Sequence, residues 1–166
     1  MQAPRALSAH IVVGTDFSES AERALDAALR LAHPGITRIT VVHTCELSAE
    51  LGVPDALATP ALDGELVRIS RERLAEAVAR RSGSGIEIAG VLRSGRPWEK
   101  INTVAAEVGA SLIVIGRTGA GRGAGRGASA DLGHVAARVL RTASRPVLTV
   151  AGHDCEFASA TASASE

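Results

Sequence analysis

Ser111-Leu-Ile-Val-Ile-Gly-Arg-Thr-Gly119, running on through Ala-Gly-Arg-Gly-Ala-Gly-Arg-Gly-Ala-Ser-Ala-Asp-Leu to Gly133-His-Val135, is the stretch that decides the fold. A short apolar run passes into a glycine-rich loop and then into a helical pattern marked by Val135, Val139 and Leu140. That order reads as strand, loop and helix start. Glycine frees backbone amides, the helix presents its positive end, and Arg117, Arg122 and Arg126 add charge, which together make an anion site. The segment points to phosphate, and hence to a nucleotide.

The same alternation extends to both sides. His10-Ile-Val-Val-Gly14 is a buried strand, after which Ala21, Ala24, Leu25, Ala28 and Leu31 or Ala32 fall at helical spacing, with Ser18 placed to cap and Glu19 and Glu22 in the first turns. Ile36 to His43 gives a second strand after His33-Pro-Gly breaks the helix. From about Leu47 to Asp63 two prolines, Gly52 and the adjoining Gly64 leave no clean period, and an irregular connection with room for a short helical turn is expected. Leu66, Val67, Leu74 and Val78 then line a helix ending in Arg80-Arg-Ser-Gly83. Ile86 to Leu92 is a third strand, and Pro97 opens a helix whose buried face is Trp98, Ile101, Val104 or Ala105, and Val108, closed by Gly109. Leu112 to Ile115 is the fourth strand and Pro146-Val-Leu-Thr-Val150 the fifth.

Strands separated by helices imply parallel pairing with right-handed crossovers, and near-continuous apolar strands suit a sheet covered on both faces. The fold class is therefore α/β, a doubly wound five-stranded parallel sheet. Its ligand belongs beyond the carboxyl ends of the strands, where the winding reverses. Residues 1–152 are expected to form one domain, and the low-complexity tail 153–166 to be disordered.

Composition narrows the class. Eighteen basic and eighteen acidic side chains cancel in 166 residues. That balance argues against a general field for nucleic acid or membrane surfaces, so anion binding must be local. An RNA-binding reading of the Arg-Gly run finds almost no stacking partners, with no Tyr, two Phe and one Trp. Two cysteines, no signal-peptide pattern and no apolar stretch of about 20 residues lead to the expectation of a cytoplasmic chain with reduced thiols. The histidines form no metal spacing.

Thr15-Asp-Phe-Ser-Glu19 after the first strand, Val42-His43 closing the second, Gly95-Arg-Pro97, Ile113-Val-Ile-Gly116, Gly133-His-Val135 and Arg145-Pro-Val-Leu-Thr-Val150 together resemble the universal stress protein family over roughly residues 10 to 151. Their shared order and spacing are the specific feature. The resemblance implies sheet order 3-2-1-4-5 with helices on both faces, of the adenine nucleotide alpha hydrolase-like kind. It also implies a homodimer, here through the Pro146–Val150 edge strand, and ATP, AMP or ADP held over the loops after strands one and four. Mg²⁺ would arrive with the nucleotide.

Carried over by residue, the resemblance puts Asp16 at the adenine or ribose, with Gly14 and Thr15 beside it and the Thr44 backbone near the base. Gly116 and Gly119 match the first two glycines of the family's G-x2-G-x9-G-[S/T] motif and Gly133 the third, with Ile115, Arg117 and Val135 alongside. The amides of Gly119, Gly133 and His134 are expected on the phosphates, assisted by Arg122 or Arg126. On that placement a side chain at Gly119 weakens ATP far more than adenosine. Two departures stand out. Thirteen residues separate Gly119 from Gly133, and His134 replaces the hydroxyl residue. Doubling a loop's length costs only about 0.6 kcal/mol in closure entropy, so binding is expected to survive.

Each residue also has a plainer role. Asp16 next to Ser18 reads equally as a helix-start residue, His134 as a solvent-facing first-turn residue, and the three arginines as charges keeping a loop in water. His43 reads as structural, Trp98 as core and Cys45 as a small buried side chain. Nothing identifies a catalytic base. Three functions remain open: a nucleotide-binding regulatory protein of the stress response, a nucleotide-independent dimeric scaffold with a degenerate loop, and a slow ATPase or self-phosphorylating enzyme.

Overall fold

Ile11, Val12 and Val13 alternate across the middle of a sheet and send side chains to opposite faces, which is how one strand seeds two cores. The computed structural model describes residues 9–45, 59–119 and 132–151. Its elements run β1 (Ala9–Thr15), α1 (Glu19–Leu31), β2 (Thr37–Cys45), α2 (Pro60–Ala79), β3 (Glu87–Ser94), α3 (Pro97–Glu107), β4 (Leu112–Gly116), α4 (His134–Thr142) and β5 (Val147–Val150). The sheet order is β3-β2-β1-β4-β5, with every pair parallel.

One core joins Val12, Ile113 and Ile115 to Ile101, Val104 and Ala105 of α3 and to Ala136 and Val139 of α4. The other joins Ile11, Val13, Ile39, Val41 and Val114 to Ala24, Leu25 and Ala28 of α1 and to Leu74 of α2. Burying apolar surface on both sides, at about 25 cal/mol per Å², is what makes the middle strands near-continuous in apolar residues. The doubly wound α/β architecture is as expected from the alternation.

Local chemistry sets the helix ends. Ser18 caps α1, its hydroxyl accepting from the Ala21 amide at 3.2 Å. Gly109 stops α3 at φ +62°, a left-handed conformation that lets the Ala110 amide reach back to the Ala105 carbonyl at 2.8 Å. One expectation is corrected. The stretch read as irregular up to Asp63 is already helical from Pro60, because Thr59 accepts from the Leu62 amide and proline suits a first helical position. The expected loop arginines Arg122 and Arg126, and the tail from 153, lie outside the described residues.

Candidate functional site

β1 and β4 are neighbours, with Gly14 paired to Ile115, while the helices that follow them, α1 and α4, pack on opposite faces of the sheet. The winding reverses here, and a cleft of about 640 Å³ opens over the carboxyl ends of the two strands. It is lined by Gly14, Thr15 and Asp16 from the first loop, Thr44 from the end of β2, Ile115, Gly116, Arg117 and Gly119 from the β4 exit, and Gly133, His134 and Val135 from the start of α4. All the described residues singled out in the sequence thus meet in one place.

The two strand glycines shape its floor by packing. A Cβ on Gly14 would stand 2.6 Å from Ile101 Cδ1, and one on Gly116 would stand 2.6 Å from Ser20 Oγ and 2.8 Å from the Ser20 carbonyl carbon. Their absence lets α3 and α1 close onto the sheet. Gly119 serves Asp16: a Cβ there would lie 2.9 Å from Asp16 Oδ2, while Oδ1 accepts from the Ser18 amide at 3.0 Å. A side chain at Gly119 therefore disturbs Asp16 as well as the β4 exit.

The β4 exit is held by backbone bonds. Arg117 donates its amide to Val150 O and accepts from the Gly133 amide, both at 2.8 Å. Gly133's amide is thereby committed within its own loop, which leaves Gly119 and the first turn of α4 to supply amides. No side chain caps that turn among the described residues, and Gly133, as N-cap, has none to offer. Ser20 sits at the back of the junction, donating to Val150 O at 3.4 Å and accepting from the Thr118 amide at 3.5 Å.

At the β2 end of the cleft, His43 Nδ1 donates to the Thr15 carbonyl at 2.8 Å, which fixes the hydrogen on that nitrogen. Burial pushes its pKa below the ordinary histidine range, against the Thr15 bond, which favours the charged ring. Phe17 covers it at 4.3 Å between ring centroids, and the Arg73 guanidinium lies 4.5 Å from the Phe17 centroid. Phe17 occupies φ +61°, a conformation costly for a bulky residue and held here by the stack. His43 is thus structural and also lines the cleft. Cys45 is buried there too, as expected.

Several lining residues had no signal in the sequence. Leu66 and Ser70 come from α2, whose first turns lie in the stretch without a clean period, and Pro97 and Ile101 come from α3. Trp98, expected in the core, is only half-buried: it packs against the Val104–Val139 cluster and turns its ring to His134 at the cleft rim. Among the described residues no group of His, Cys, Asp and Glu has metal-site geometry, and no helix is long and apolar enough to cross a membrane.

The profile of the universal stress protein family matches residues 8–151. The chain belongs to the universal stress protein family. Universal stress protein YxiE of Bacillus subtilis (strain 168) is 27% identical over 148 residues, spanning 84% of this chain and 97% of that one. The solved structure of MJ0577 shares the fold at a TM-score of 0.75 and 22% identity, over 89% of this chain and 99% of the other. The universal stress protein of Archaeoglobus fulgidus in complex with dAMP superposes at a TM-score of 0.60 with 26% identity, over 87% of this chain and 98% of that one. Against the G-x2-G-x9-G-[S/T] pattern this chain has thirteen residues between Gly119 and Gly133 and His134 at the last position.

Proposed function

We propose that this universal stress protein is a cytoplasmic regulatory protein that binds ATP, or AMP or ADP, over the β1 and β4 loops and acts as a nucleotide-dependent homodimer. The observation that carries the proposal is the meeting of Asp16 and Gly119 across the mouth of a cleft that ends at the uncapped start of α4. One wall accepts hydrogen bonds from a nucleoside; the other donates them to phosphate. The cleft is of the size that holds a small cofactor, roughly 300–1,000 Å³. A relative that carries dAMP supports an adenine nucleotide as the ligand.

On this reading Asp16, with Gly14 and Thr15, holds the ribose or adenine, and the Thr44 backbone lies near the base. Gly119, His134 and Val135 hold phosphate, aided by Arg117 and by Arg122 or Arg126, and Mg²⁺ accompanies the triphosphate. β5 is the sheet edge, with Leu148 and Leu140 of neighbouring α4 both exposed, which suits pairing with a second copy. The test is whether nucleotide co-purifies, read by chromatography of the acid-released supernatant, followed by calorimetry with ATP and adenosine. An empty pocket with no heat and no thermal stabilisation at millimolar Mg²⁺ and ATP overturns the proposal in favour of the scaffold.

A further inference from the structure

On the α3–α4 side of the cleft lies a group of side chains that the nucleotide reading leaves unused. Trp98 stands edge-to-face with the cleft-lining His134, 5.2 Å between ring centroids at 89°. The Arg138 guanidinium is 5.3 Å from the Trp98 centroid and that of Arg96 is 5.8 Å. Two cations are thus held one ring away from the imidazole, by contacts of the kind that order a guanidinium without neutralising it. His134 and Arg138 are one turn apart on α4, and helical side chains lean toward the N-terminus, so Arg138 reaches back along the first turn.

The charge balance on this rim is positive. Arg96 has one carboxylate neighbour, Glu99 at 3.4 Å, and Arg138 has no ion pair among the described residues. The opposite wall of the cleft carries the Asp16 carboxylate. A phosphate attached to a nucleoside is accommodated between Gly119 and the first turn of α4. Arg96, Trp98 and Arg138 stand behind His134, outside the cleft lining, and a further phosphate extended past His134 would be attracted by the two guanidiniums.

We infer that Arg96, Trp98, His134 and Arg138 form a subsite for the distal phosphates of a nucleotide that carries two or more, and that they set discrimination by phosphate number. The inference rests on the proposed nucleotide site. Trp98 is a positioning residue: its ring holds both guanidiniums and the imidazole in place. Arg96 and Arg138 supply the charge, and His134 replaces the family's hydroxyl with a longer donor.

Calorimetry with adenosine, AMP and ATP on the wild-type chain, the Arg96→Ala/Arg138→Ala variant and the Arg96→Lys/Arg138→Lys variant tests it, with thermal melting confirming that each variant is folded. The expected result is ATP binding about tenfold or more tighter than AMP in the wild type. The alanine variant brings ATP to within about twofold of AMP while AMP and adenosine are unchanged, and the lysine variant restores most of the preference. AMP binding with no preference for ATP, or a preference the alanine variant keeps, overturns the rim subsite alone. Failure of AMP and ATP alike to bind overturns the nucleotide site, and the rim subsite falls with it.

Discussion

Alanine at Gly116 and alanine at Gly119 should behave oppositely, although both glycines belong to one motif. At Gly116 the new Cβ would lie 2.6 Å from Ser20 Oγ, 2.8 Å from the Ser20 carbonyl carbon and 3.0 Å from the Ala21 amide nitrogen. The hydroxyl can rotate away, though it then loses its bond to Val150 O; the backbone cannot. Ordinary contact begins near 3.4 Å. Helix α1 must therefore back off by about 0.6 Å at Ser20, loosening dispersion contacts of Ala21, Ala24 and Leu25 against the sheet. Overpacking of this kind costs about 1–3 kcal/mol, and at roughly 2–4 °C per kcal/mol for a chain of this size the melting temperature falls by about 2–12 °C. At exposed Gly119 the Cβ meets, among the described residues, the Asp16 carboxylate alone, so stability should stay within about 0.5 kcal/mol of wild type while binding of both adenosine and ATP weakens. Thermal and urea unfolding read the first effect and calorimetry the second. A Gly116→Ala protein that melts with the wild type, or a Gly119→Ala protein that melts lower than it, would refute the packing assignment.

Asp16→Ala should weaken adenosine, AMP and ATP by a common factor, about 1–3 kcal/mol in calorimetry, because the lost acceptor serves the part that all three share. Loss confined to ATP would place Asp16 at the phosphates instead. His43 and His10 both have pKa values lowered chiefly by burial. Each takes up its proton more readily in the unfolded chain, so their stability contribution is complete above the unfolded value of about 6.5 and is lost as pH falls toward the folded values. His43→Asn, which can keep a donor to the Thr15 carbonyl, should flatten the decline in melting temperature between pH 7 and pH 5, with His10 supplying the remaining slope; an unaltered slope counts against it. Leu148→Glu should convert a dimer into a monomer by light scattering at tens of micromolar, since two copies pairing along β5 would bring like charges together. A wild-type chain that is already monomeric there removes the edge-pairing proposal.

The strands and helices were legible wherever apolar spacing was regular: Ile11 to Val13, Leu112 to Ile115 and the Ile101–Val104 stripe all fell where the period put them. α2 was half legible, because its start carries Pro60 and Gly64 and its period emerges only with Leu66. Proline there is a starter, not a breaker, and only the Thr59 cap distinguishes the two. The strand order came from resemblance, since alternation alone fixes pairing direction and not which strands are neighbours. At the cleft, the glycines and the Thr15-Asp16 turn were legible as lining residues, and what each packs against was not. Gly14 and Gly116 face Ile101 and Ser20 across long stretches of chain, and no local pattern announces such a contact. The same holds for Phe17, whose left-handed backbone depends on His43 and Arg73.

The two departures from the family motif that the sequence carries, the spacing over 120–132 and His134, adjoin the start of α4 in the chain. The wall proposed for the nucleoside carries the Thr15-Asp16 turn, supported by Ser18 and His43. The α4 wall carries His134, with Trp98 edge-to-face against it and the Arg96 and Arg138 guanidiniums over the tryptophan ring. A change confined to one wall alters what that wall contacts and leaves the other contacts as they were, provided the two are coupled only weakly. Among the described residues the two walls approach each other at Gly119 and Asp16. Substitutions at His134, Arg96 and Arg138 should therefore act on ligands in proportion to their phosphate content, whereas substitutions at Gly119 should act on every nucleoside, and that difference in pattern is how the two walls can be told apart in solution.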